Sequence, residues 1–198
     1  MANSNSNTSA TNRQKGRVTF GMFLFIGFIA LALWIGFNTG LEATNTESFC
    51  ISCHEMKNTV YQEYKESLHY KNRTGVRATC SDCHVPKPFF HKMKRKILAV
   101  NDVYHTLRGT INTPEKMESR RLHLAQKVWA QMKESDSREC RYCHDFNFMN
   151  LDEQDKSASK KHKASMGQGK TCIDCHKGVV HDLPEEEIAD PGTEKKDK

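Results

Sequence analysis

Eight cysteines constrain this chain more than any other feature, because they form four pairs of one pattern with none left over. Cys50/Cys53, Cys80/Cys83, Cys140/Cys143 and Cys172/Cys175 each read Cys-x-x-Cys, and each pair is followed at once by a histidine: His54, His84, His144 or His176. That spacing suits covalent attachment of haem c. Both thiols add to haem vinyl groups as thioethers, and the adjacent imidazole reaches the iron as proximal ligand. Zinc knuckles also use Cys-x-x-Cys, and exported proteins use disulfides, but neither needs a histidine directly after every pair. Four covalently bound haem c groups are therefore expected. They would supply an interior that side chains cannot, since only 37% of the 198 residues are hydrophobic and many of those lie in one N-terminal stretch.

That stretch runs from Val18 to Phe37, 20 residues without a charge. At about 1.5 Å per residue it spans roughly 30 Å, the thickness of a hydrocarbon core. Trp34 falls near its far end, where an interfacial aromatic belongs. Arg13, Lys15 and Arg17 precede the span, and Glu42 and Glu47 follow it. The charge asymmetry predicts a single-pass anchor in a bacterial inner membrane, with the N-terminus cytoplasmic and the haem domain periplasmic. A cleaved signal peptide fits less well, since the apolar run is long and no clear small-x-small site follows. The expected divisions are a polar and basic tail over 1–17, disordered in its first twelve residues, and an anchor over 18–37. A tetrahaem domain over 41–184 and a charged flexible tail over 185–198 complete the chain. The formal charge of +6 omits the haems. Each ferric haem with two ionised propionates carries about one net negative charge, which leaves roughly +2. No recognition motif accompanies the charge, so nucleic-acid binding is not expected.

The motifs fall into two pairs whose first cysteines are 30 and 32 residues apart, and the pairs repeat at offsets of 90 and 92. This suggests two dihaem halves made by duplication. The fold class expected is mainly α with extensive irregular loops. Phe89, Phe90, Met93, Ile97, Val100, Tyr104 and Leu107 recur at helical spacing up to Gly109, with Lys92, Lys94, Arg95 and Lys96 among them. Such a helix can lie on an anionic membrane surface or pack its stripe on haems. Thr113-Pro114-Glu115 signals another helix start, running to about Glu134. Six histidines outside the motifs are candidate distal ligands: His69, His91, His105, His123, His162 and His181. Four irons do not need all six, and His123 reads as surface. The first motif, CISCHEM, places Met56 two residues after His54, either as a thioether ligand that would raise the haem potential or as packing on the porphyrin. This motif starts thirteen residues past the span, where a lipid-soluble donor would arrive.

The segment from Phe37 to Pro86, with CISCHEM and CSDCHVP, followed by CRYCH and TCIDCHKGVVH, resembles the NapC/NirT family of tetrahaem quinol dehydrogenases. The nitrate-reductase-associated branch is the nearest likeness. The resemblance implies oxidation of membrane quinol, menaquinol or ubiquinol, and relay of electrons to a periplasmic reductase or its small cytochrome subunit. It implies distal ligands at His69, His162 and His181, and makes Met56 rather than His54 a ligand candidate for the first haem. It also implies that Lys96 and Asp102 flank the quinol. Relatives carry a histidine directly after CHVP where this chain has Lys87, with His91 four residues on. Two other readings stay open: a carrier without its own quinol site, and a donor to a different reductase, for nitrite or TMAO. The sequence also leaves open a homo-oligomer.

Overall fold

A computed structural model describes residues 6–165, 167–185 and 187. It divides into two compact units, one ending at Thr44 and the other beginning at Asn45.

The first unit is a single helix, α1, Ser6–Ala43. Its segment Thr19–Ala43 is long and apolar enough to cross a membrane. The helix takes in residues expected to be a disordered tail, from Ser6 onward. Elongation explains this, because each added residue gains a backbone bond once a nucleus exists, even with weak helix formers such as Asn and Thr. Residues 1–5 lie outside the described residues.

The second unit is built of short helices and loops, with no strand among the described residues. Helices α2 (Glu47–Cys50), α3 (His54–Asn58) and α4 (Val60–Glu66) bracket the first motif, and α5 (Cys80–His84) carries the second. The longest helix of this unit, α6, is Phe89–Leu107. Where one helix was expected over 113–134 there are two, α7 (Pro114–Glu118) and α8 (Arg121–Glu134). Thr113 caps α7 with its side chain, as expected. The break follows Ser119, whose hydroxyl bonds the Lys116 carbonyl at 2.9 Å and competes with the helical ladder. Helix α9 (Arg138–Arg141) leads into the third motif, while α10 (Lys156–Ser165) and α11 (Cys172–Cys175) form the last part. Two of the motif helices start with the same device. Thr79–Asp82 and Thr171–Asp174 are capping boxes, so TCSDCH and TCIDCH fold alike. The match between the second and fourth motifs agrees with a repeated two-motif unit.

Only four apolar side chains, Tyr64, Met117, Ile173 and Pro184, are buried among the described residues. That is too little to hold a domain of this length by side-chain packing alone. Polar pins do much of the work instead. Arg77 stacks over Tyr70 with 4.3 Å to the ring centre, donates to the Tyr64 hydroxyl at 3.0 Å and pairs with Glu47. Tyr64 in turn donates to the Ala78 carbonyl at 2.6 Å. These contacts tie down the loop between His69 and Cys80. The chain after the last motif is fixed by Lys177, which lies over Trp129 at 4.4 Å and pairs with Glu187 at 2.5 Å. The expected flexible tail is therefore anchored at its start, and residues 188–198 lie outside the described residues.

Candidate haem sites

The four motifs lie side by side in the order of the chain. Helix α2 packs on α5, which brings Cys50 and Cys80 into hydrogen-bonding contact. Helix α5 packs on α9, which brings Cys83 near Cys140 and Cys143. Cys140 in turn lies near Cys172, and the Ile173 amide donates to Ser137 Oγ at 3.1 Å. The first motif thus neighbours the second, the second the third, and the third the fourth. None of the eight cysteines is in a disulfide.

Three of the four motif histidines face a second histidine. His69 stands against His144 with ring centres 6.2 Å apart, His181 against His84 at 6.2 Å, and His162 against His176 at 5.8 Å. An iron held by two imidazoles at about 2 Å per bond keeps their ring centres roughly 6 Å apart. In the last pair the two Nε2 atoms aim at each other across 3.5 Å, close to the roughly 4 Å two such bonds span. The donors also suit a metal chemically, because a ligating imidazole must be neutral. Burial, then the neighbouring His181, hold His84 down to about 4. Burial, then His162, push His176 the same way. A cavity of about 330 Å³ opens over Cys143 and His144, walled by Tyr142, Phe148 and Met149. The residues present therefore fit haem.

Two of the pairs cross between the halves of the chain. His69 comes from the first half but meets the third motif, and His181 follows the fourth motif but meets the second. Chain distance gave no hint of this. His181 reaches back because Gly178 turns the chain at φ 72°, where a Cβ would meet Leu183 at 2.9 Å. The Asp182 amide then donates to Glu63 Oε2 at 3.1 Å.

The first motif stands apart. His54 faces no histidine and instead lies 3.5 Å from the carboxylate of Glu55, whose side chain is 1% exposed. Met56 is partly exposed beside it. The remaining histidines are not brought to any motif. His91 and His123 are exposed, and His105 Nδ1 pairs with Thr110 Oγ1 at 3.0 Å. Lys87, where relatives were expected to carry a histidine, lies over the Tyr142 ring at 4.5 Å.

The expected pair Lys96 and Asp102 is separated on α6. Six residues carry a helix about 240° round its axis, whereas seven bring it back to within about 20°. Asp102 accordingly pairs with Arg95, whose two terminal nitrogens donate at 3.1 and 3.0 Å. Lys96 turns elsewhere and its charge is felt at Cys50. The helix is also inverted in its amphipathicity. Lys92, Arg95, Lys96 and Ala99 are half-buried, while Phe90, Ile97, Val100 and Leu107 lie outward, Phe90 83% and Leu107 82% exposed. Of the groups the structure brings to these sites, Glu63, Arg121 and Gln154 escaped the sequence reading, and Arg95 entered it only as one of the cations of α6. Only the seven-residue spacing of Arg95 and Asp102 could have been found there.

Four Cys-x-x-Cys-His motifs in contact, three of them completed by an opposed histidine, define a multihaem c-type cytochrome that carries four haem c groups. The chain belongs to the NapC/NirT cytochrome c family, whose N-terminal-region model matches residues 13–186. It is 52% identical to the cytochrome c-type protein NapC of Escherichia coli K12 over 181 residues, 91% of this chain and 90% of that one. It is 54% identical to the denitrification system component NirT of Stutzerimonas stutzeri over 174 residues, 87% of each chain. A tetrahaem cytochrome-c-type protein of Allochromatium vinosum is 54% identical over 163 residues, 82% of this chain and 87% of that one. No solved structure matches the chain.

Proposed function

We propose that this protein takes electrons from membrane quinol and passes them through its four haems to a periplasmic reductase, with nitrate reductase as the recipient the family resemblance favours. The observation that carries the reading is the unbroken series of motifs, the first of which begins seven residues after the anchor helix ends at Ala43. Bound haem supplies one-electron acceptance and transfer. The axial pairs are His84–His181, His144–His69 and His176–His162, on the spacing described above. At the first motif Met56 is the ligand candidate and His54, turned to Glu55, is not. The anchor spans 18–37 with its basic end in the cytoplasm, and the tetrahaem domain over 41–184 faces the periplasm.

Helix α6 presents its apolar stripe outward and its cations inward, which suits a helix resting in the lipid interface with lysines beside haem propionates. Lys96 orients a quinol oxygen near the first motif, a reading that its charge near Cys50 supports. Asp102, which pairs with Arg95 on another face of the same helix, is the proton acceptor of this reading. The test is anaerobic mixing of the full-length protein in nanodiscs with a menaquinol analogue, then with purified periplasmic nitrate reductase. Haem reduction followed by quinol-dependent nitrate consumption supports the reading. Reduction by dithionite but not by quinol would identify a carrier without its own quinol site.

A further inference from the structure

The three histidines that face motif histidines differ in what their second ring nitrogen meets. His181 Nδ1 is buried and makes no hydrogen bond among the described residues, but the Glu63 carboxylate stands behind it, with Oε2 at 3.5 Å. His162 Nδ1 sits 2.6 Å from Gln154 Oε1. His69 Nδ1 is buried and meets no protein acceptor among the described residues. The series is thus a carboxylate, an amide carbonyl and nothing.

When Nε2 binds iron, Nδ1 carries the ring proton. An acceptor that draws on this proton raises the electron density of the imidazole, which favours the ferric state and lowers the reduction potential. A carboxylate brings a full negative charge, which favours the ferric state by Coulomb attraction even where no hydrogen bond forms, whereas an amide brings only a dipole. Glu63 is built to stay charged. Arg121 donates to both its oxygens at 2.7 and 3.2 Å, and the Asp182 amide adds a third bond at 3.1 Å. Three donors on one carboxylate favour its charged form. Arg121 does not cancel it, since the same guanidinium also holds Glu118 at 2.6 Å, leaving the trio with one net negative charge.

We infer that Glu63 is a positioning residue whose carboxylate, standing behind His181 Nδ1, makes the second haem the hardest of the three bis-histidine haems to reduce. The fourth, with Gln154 behind His162, follows, and the third, with no acceptor behind His69, is the easiest. The inference rests on the axial pairs proposed above. Electrons entering at the first motif would then meet their least favourable step at the second.

The test is a potentiometric titration at fixed pH of the full-length haem-loaded protein, with each haem followed by electron paramagnetic resonance. Glu63→Gln should raise the reduced-to-oxidised ratio of one haem at a given potential about tenfold, an upward shift of about 59 mV for one electron. Gln154→Glu should move another haem in the opposite direction, and it leaves the Arg121 network untouched if Glu63→Gln fails to accumulate. No shift in either variant with all low-spin signals intact overturns the inference. So does a shift in Glu63→Gln that comes with loss of a bis-histidine signal, which marks a purely structural role. His181→Ala separates the two levels: if it leaves every low-spin signal unchanged, the axial pairing itself has failed.

Discussion

Arg121→Met isolates the ion cluster that joins α4, α8 and the chain after the last motif. Arg121 and Glu63 are 13% and 12% exposed in their side chains, so removing the guanidinium strands a mostly buried carboxylate. Breaking a fully buried pair this way costs about 3–5 kcal/mol. The residual exposure and the Asp182 amide that stays on Glu63 reduce this to roughly 2–3 kcal/mol. For a chain of this size that corresponds to a fall in Tm of about 4–12 °C. Circular dichroism melts of the haem-loaded, full-length protein in detergent read it directly. The double variant Glu63→Gln/Arg121→Met should recover part of the loss, since the stranded charge is gone. The pH dependence follows from the depressed carboxyl of Glu63, at about 2 in the folded protein. A group lowered on folding stabilises above its unfolded value, near 4.3, and that contribution fades as pH falls toward 2. The Arg121→Met deficit should therefore be full at neutral pH and shrink in acid. A deficit under about 0.5 kcal/mol, or one as large at pH 3 as at pH 7, would refute this reasoning.

Other outcomes are expected from the same geometry. His69→Ala, His162→Ala and His181→Ala should each convert one haem from low to high spin, while His91→Ala and His123→Ala leave the spectrum unchanged. Met56→Ala should alter the spectrum of the first haem and slow quinol-dependent reduction, whereas His54→Ala should do neither. Lys96→Gln and Asp102→Asn should slow reduction by a menaquinol analogue at least tenfold with dithionite reduction intact; unchanged rates in both would remove them from the quinol site. Asp174→Ala removes half of the capping box before the fourth motif, where its carboxylate accepts from the Thr171 amide at 2.8 Å. It should cost about 1 kcal/mol in thermal stability.

The haem motifs, the anchor and the helical class were all legible in the sequence because each is local. A Cys-x-x-Cys-His run or a charge-free stretch carries its meaning within a few residues. What required three dimensions was the pairing across the chain. His69 precedes the second motif yet meets the third, and His181 follows the fourth yet meets the second, so chain distance points the wrong way for both. The split between α7 and α8 was hidden because Met117 and Leu124 keep one periodicity on both sides of the break. Lys96 and Asp102 came from a likeness to relatives, while helical geometry sets Arg95 beside Asp102 instead. Polar partners such as Glu63 and Gln154 leave no pattern at all, since a single Glu or Gln on a short helix or loop is indistinguishable from surface.

The most direct test of the central claim is a count of axial ligand types, by near-infrared magnetic circular dichroism of the oxidised haem-loaded protein. Three opposed histidine pairs and one motif with Met56 in place of its motif histidine predict three bis-histidine haems and a fourth of different ligation. Four bis-histidine haems, or fewer than three, would contradict the account.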